Sequence, residues 1–353
     1  MRYLRKFNES ATTFMTDVRQ IRKYCSERGI NISFVNPDGT VDVFDTCYLT
    51  NFEEQNLPFR FGDLGGLEVS SSSLTSLEGC PKIIKGSLNF TESEITNMIG
   101  GPEVVSGNVE GMGSALTSLE GVPKKVRGSF GISKTQVTSL IGLPESIGWT
   151  LDVSNLKITS LEGCPETITG NLIASFTGIT NLRGAPKEIG GEAEFNSCKL
   201  TSLEGIPQKI GGDLSIQHNR IWDPSPLRNI QIGNHFYCSG TTMVHLVDFF
   251  YNAHHVKYGH GTLTYQPIPG RYDIEEPFKD FLDSLDYNYI RGTADKPLIN
   301  QFRFKEALDE IIPTWRRAWN EYMPWVTDKS KFGNYRLVDN VGNYVDIDGN
   351  IIN

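Results

Sequence analysis

A strict 21-residue period from Leu74 to Arg220 constrains this chain more than anything else in it. An apolar residue opens each unit at Leu74, Ile95, Leu116, Val137, Ile158, Ile179 and Leu200, and Ile221 begins an eighth. The fourth residue is apolar, from Leu77 and Met98 to Leu203. The sixth is always glycine (Gly79 to Gly205), the eighth always proline (Pro81 to Pro207), and the eleventh Ile or Val. Pairs such as Leu88 and Phe90, Phe130 and Ile132, or Leu214 and Ile216 then alternate with polar residues, the signature of a strand with one buried face. Proline presets φ and glycine permits positive φ, so both mark corners. No unit has room for a helix. The expectation is a repeat solenoid in which each coil contributes one short strand of a parallel β-sheet, a tight corner and an irregular return. The twentieth position (Ser93, Ser114, Thr135, Thr177, Cys198, Asn219) is small and polar, suited to bonding backbone groups in the bend. Leu156 breaks this pattern, and Trp149 stands where the other units have glycine, which predicts a bulge or an exposed aromatic.

The joined pattern L-T-S-L-E-G-x-P and L-x-Φ-x-x-S/T/N-x-L resembles the short bacterial leucine-rich repeats. That resemblance implies strands on a concave face and a capped stack. The opening MRYLRKFNES, followed by such repeats, is similar to a group of tailed-bacteriophage proteins of unassigned role. Phe7-Asn8-Glu9-Ser10 resembles the sites cut by phage prohead proteases, which would make Glu9 and Ser10 a cleavage point. The other reading of residues 1–10 is a basic tail. Tyr289-Ile290-Arg291-Gly292 is also similar to the segment C-terminal to the repeats in that phage group.

Around the repeats, residues 11–73 are expected to form an N-terminal α/β cap. It would hold a helix over 12–28 that buries Phe14, Val18, Ile21 and Cys25 and stops at Gly29. A hairpin would follow from Ile32 to Phe44 around Asn36-Pro37-Asp38-Gly39. The solenoid is expected over 74–240. Residues 241–353 are expected to form a small α+β capping domain, because the period turns helical at Met243, Leu246, Val247 and Phe250.

The outward strand positions carry the expected function. They include Glu110, Asp152, Glu192, Glu194, Asp213 and Gln217, with acidic side chains, no basic ones and no aromatic ones. Such a surface favours a protein partner with a basic patch. With a net charge of −9 it disfavours nucleic acid. Solvated sheet residues without a partner are the other reading. No apolar run approaches a membrane span, and no motif calls for a cofactor. The C-terminal part holds the candidates for chemistry. His254, His255 and His260, three histidines within seven residues, could ligate a metal, but without a metal-site spacing the stronger reading is a loop at a helix end; Asp280, Asp283 and Asp286 read as a solvated helix face, and Trp315, Trp319 and Tyr322 as core, with a protein-binding face as the other reading. Some bacterial effectors join such repeats to a ubiquitin-ligase domain with a nucleophilic cysteine, but no cysteine follows Cys238. The six cysteines are scattered and read as small core residues. The expected protein is therefore a non-enzymatic binding solenoid of a tailed phage, located in the host cytoplasm or the virion. One alternative is a packaged structural protein of the particle, cleaved after Glu9; another is a metal-dependent enzyme in residues 241–353.

Overall fold

The computed structural model describes residues 14–221, 225–227, 230–238 and 241–243. Beyond these it describes the strands Lys257–Tyr258, Leu263–Thr264, Ile290–Thr293, Lys296–Asn300 and Arg336–Val338. Glu9, Ser10, the three histidines, Asp280, Asp283, Asp286 and the Trp315, Trp319, Tyr322 stripe lie outside the described residues. The chain divides into two compact units, Met1–Ile158 with Glu162–Ile173, and Thr159–Leu161 with Ala174–Asn353. Both are built as parallel β-solenoid.

The first unit opens on helix α1 (Val18–Arg28). It starts later than its apolar pattern because the Asp17 side chain accepts a bond from the Gln20 N–H at 2.8 Å and caps the helix there. Gly29 ends it with φ of 66°, a left-handed cap that glycine takes at no steric cost. Ile21 and Cys25 are buried. The hairpin forms with a shorter first arm than expected. Phe34 pairs with Asp42 and Val35 with Val41, and Gly39 turns at φ of 80°. The second arm, Val41–Tyr48, pairs in parallel with the strand Phe61–Glu68.

Phe61–Glu68 starts the coils. Its Leu64 pairs with Ile84, while its Leu67 and Glu68 pair with Leu88 and Asn89. From there two ladders run side by side. One joins Leu88, Val109, Phe130, Leu151 and Leu172; the other joins Ile84, Val105, Val126 and Ile147. The second unit repeats the arrangement. Ala193, Leu214, Phe236 and Leu263 pair in one ladder, and Ile189, Ile210, Ile232 and Tyr258 in the other. The expected single strand per coil is therefore corrected to two. The Ile or Val at the eleventh position is itself paired, because the glycine corner after it is short enough to keep both sides in register. Coil-type pairing also continues past residue 240, through Lys257–Tyr258 and Leu263–Thr264. Farther on, Ile290–Thr293, Lys296–Asn300 and Arg336–Val338 form a three-stranded sheet of their own.

Inward side chains fill each coil. Leu74, Leu77, Ile84, Leu88 and Phe90 are fully buried, and their apolar equivalents around the repeat are buried too. Each such burial contributes about 1.5–3 kcal/mol. Large and small residues complement each other in places. Phe90 packs over Gly111, where an added Cβ would collide with the ring, and Phe195 follows the small Ala174 of the preceding coil.

The bend after each strand has a feature that the sequence does not advertise. Its residue is left-handed in coil after coil: Ser71, Glu92, Gly113, Lys134 and Asn155 in the first unit, and Phe176, Ser197 and His218 in the second, with φ between 51° and 68°. The next side chain secures the bend. Ser72, Ser93, Ser114 and Thr135 donate their hydroxyl to the carbonyl three residues back at 2.6–2.9 Å, and Thr177 does so in the second unit. This is the role expected of the twentieth position. Leu156 cannot play it, yet its coil is not distorted. Asn155 keeps φ of 57°, and Leu151 stays in register with Leu172. Trp149 is exposed rather than bulged.

Candidate functional site

The outward rows are more structural than their composition suggests. In the first unit the Ser87 hydroxyl accepts the Asn108 N–H at 3.0 Å. Asn108 Oδ1 in turn accepts the Ser129 N–H at 3.0 Å, and the Ser129 hydroxyl accepts the Thr150 N–H at 3.3 Å. Two-residue strands leave many amide groups without a ladder partner, and these side chains supply one. The middle outward row is bonded too: Asn89 Nδ2 donates to Glu68 Oε2 at 2.9 Å, and Asn108 Nδ2 donates to Glu110 Oε1 at 3.3 Å. It carries Glu68, Asn89, Glu110, Gly131, Asp152 and Ile173 in successive register. Glu110 and Asp152 are thus separated by Gly131, whose bare backbone leaves space between them. Asp152 Oδ1 accepts the Ser154 N–H at 2.9 Å.

In the second unit the structure brings the predicted residues onto one surface. Ala193 pairs with Leu214 and Glu194 with Ser215, which places Glu192 beside Asp213 in the adjacent coil. Gln217 is less available than expected. Its N–H is held by Asn196 Oδ1 at 2.9 Å and its Nε2 donates to Ser215 Oγ at 3.1 Å, while Ser215 Oγ donates to Asn196 Oδ1 at 2.6 Å. Asp213 Oδ1 accepts the His235 N–H at 2.8 Å.

That last bond exposes a miss. The coil after Leu214 is 22 residues long rather than 21, so Leu214 pairs with Phe236 and Ser215 with Tyr237. His235 and Tyr237 therefore continue the outward rows, with ring centroids 5.7 Å apart. The expectation of a face without aromatic residues is corrected by this pair. The buried Phe236 and Cys238 flanking Tyr237 were the available signal, because they restore the in-out alternation one residue out of step.

Other candidates for chemistry are weaker. A cleft of about 300 Å³ beside α1 is lined by Arg28, Ile30, Tyr48, Phe52 and Glu54. Glu54 is committed there, accepting the Tyr24 hydroxyl at 2.7 Å and Arg28 at 3.2 Å. Burial first, then the Glu54 carboxylate, pushes the Tyr24 phenol above its usual range. Among the described residues no cluster of His, Cys, Asp and Glu could hold a metal, and no helix is long and apolar enough to cross a membrane.

All six cysteines are free. Burial pushes the Cys25 thiol up to about 11 and the Cys47 thiol up to about 12, and also raises Cys238. A thiol kept protonated is a poor nucleophile. Because the folded values lie above the unfolded one, the unfolded chain loses these protons first as pH rises. Stability should be intact below about pH 8.5, then fall by about 1.4 kcal/mol per pH unit for each thiol until the folded value is reached. Urea midpoints measured from neutral pH into this alkaline range are expected to decline, and to decline less in Cys25→Ala and Cys47→Ala. An unchanged slope in both variants would contradict this account.

The chain matches no known family, no curated protein and no solved structure.

Proposed function

We propose that this chain is a non-enzymatic protein-binding solenoid of short leucine-rich-repeat type, whose outward sheet rows engage a partner with a basic surface. The observation that carries the reading is the grouping of Glu192, Glu194 and Asp213 with Tyr237 on one face of the second unit, held in fixed register by the strands beneath. Carboxylates next to an aromatic ring suit lysine and arginine, through charge pairing and through the ring face. A preformed surface of paired strands also loses little conformational freedom on binding. The residues before Leu74 and after 240 would cap the stack, and the resemblance of the N-terminus to tailed-phage proteins supports a role in the infected cell or the particle.

Charge reversal tests the reading. A labelled peptide rich in lysine and arginine should bind the full chain with an affinity that falls steeply with salt. Glu192→Lys, Glu194→Lys and Asp213→Lys together are expected to weaken it by roughly tenfold or more. Tyr237→Ala should weaken it further while leaving the melting curve close to that of the parent. Binding that ignores all four changes would remove this face from consideration.

A further inference from the structure

The first unit carries a second surface of opposite character, centred on Trp149. In the neighbouring coils its place is taken by Gly86, Gly107, Gly128 and Gly170. The reason is close stacking: a Cβ built on Gly107 or Gly128 would stand 2.7 Å from the backbone of the preceding coil, and on Gly86 2.5 Å. In the Trp149 coil the obligatory glycine sits one place earlier, at Gly148, where a Cβ would strike the Arg127 carbonyl. The ladder still yields around the tryptophan. Trp149 N–H to Gly128 O and Gly170 N–H to Trp149 O are both 3.2 Å, against 2.8 Å for Gly107 to Gly86 and 3.0 Å for Gly128 to Gly107. The side chain buries little in exchange, being 68% exposed. A large apolar residue that loosens its ladder and buries little acts outside the fold.

Its surroundings name the kind of contact. Lys125 pairs in register with Ser146, and Val126 with Ile147, so Lys124, Lys125 and Arg127 occupy the coil adjoining Trp149. All three cations are exposed. Glu103 in the coil before is already engaged by Lys82 at 2.8 Å, and Glu145, in the Trp149 coil, is exposed beside Lys124. Along its row Trp149 is flanked by Gly128 and Gly170, which have no side chains to cover the indole.

We propose that Trp149, Lys125 and Arg127, with Lys124 at the margin, form a docking surface for an acidic polypeptide segment bearing an apolar side chain. Tryptophan and arginine are the residues most enriched where a few side chains dominate a protein interface. The apolar side chain would lie on the indole, and carboxylates would meet the cations. One aromatic residue gives no platform for successive bases, so a polypeptide fits better than a nucleic acid.

The test uses the full chain and a short fluorescein-labelled peptide of alternating glutamate and leucine, followed by fluorescence anisotropy. Trp149→Gly restores the residue other coils have at this corner and should melt within a few degrees of the parent, yet bind roughly tenfold more weakly. Lys125→Glu with Arg127→Glu should abolish binding. The Glu192, Glu194 and Asp213 reversals should leave it unchanged, which separates failure of this surface from failure of the acidic face. Equal binding by parent, Trp149→Gly and the double reversal would overturn the proposal. So would a large loss of thermal stability in Trp149→Gly, since the tryptophan would then serve the fold. Labelled oligo-dT binding through these same residues in place of the peptide would overturn the polypeptide assignment.

Discussion

Phe130→Ala is expected to destabilise the first unit by about 3–5 kcal/mol, the usual range for emptying a buried aromatic site. Phe130 is fully buried in the middle of its row, with Val109 on one side and Leu151 on the other. The coils on either side cannot close over the gap, because each is fixed by its own ladder bonds. Val109 N–H donates to Ser129 O and Leu151 N–H to Asn171 O, both at 2.8 Å. In a stack whose stability is a sum of coils and nearest-neighbour contacts, the damage should spread as a contiguous set of coils. Hydrogen exchange should show lost protection at Leu88, Val109 and Leu151 together. Phe44→Ala is the control; that residue is 65% exposed, and its loss should shift stability by no more than about 0.5 kcal/mol. Comparable losses in the two variants would contradict the assignment of Phe130 to the core.

Asn219→Ala is expected to cost about 2–4 kcal/mol in the second unit, more than any of the serine or threonine bonds in the other bends. Its Nδ2 donates to Phe195 O at 2.7 Å and to Ile216 O at 2.8 Å, and its Oδ1 accepts the Leu200 N–H at 3.2 Å. The side chain therefore stitches two coils where Ser93 or Ser114 secures only one bend. Alanine would leave buried carbonyl and amide groups without partners, each at about 1–3 kcal/mol before relaxation. Thr241 Oγ1 also donates to Ile216 O, at 2.7 Å, so one carbonyl keeps a partner and the cost falls short of the full sum. Ser93→Ala, which loses one hydroxyl bond to Phe90 O, should cost about 1 kcal/mol. Thermal melts of the two variants side by side provide the check, and an Asn219→Ala loss no larger than that of Ser93→Ala would disprove the stitching role.

The acidic character of the second unit's outward face was legible in Glu192, Glu194 and Asp213 because those residues keep the 21-residue frame. His235 and Tyr237 were legible only through the alternation of Phe236 and Cys238 around Tyr237. One inserted residue moves every later side chain out of a frame counted by period alone, and the pairing of Leu214 with Phe236 sets the count. Gln217 shows the opposite error, since its side-chain amide looked available in sequence but donates to Ser215, while its backbone N–H is held by Asn196. Polar outward residues read alike whether they meet solvent or cap an amide in the next coil, and the difference depends on distances across coils.

The sequence by itself determined the coil. The period, the glycine and proline corners, the buried Ile or Val, and the polar twentieth residue each follow from short-range rules of φ and of side-chain alternation. The tertiary structure alone decided that each coil carries two ladders, that a left-handed residue precedes each polar lock, and which outward side chains are committed to neighbouring coils. These depend on how closely successive backbones approach, at hydrogen-bond distance across some 21 residues, and no local pattern encodes that separation.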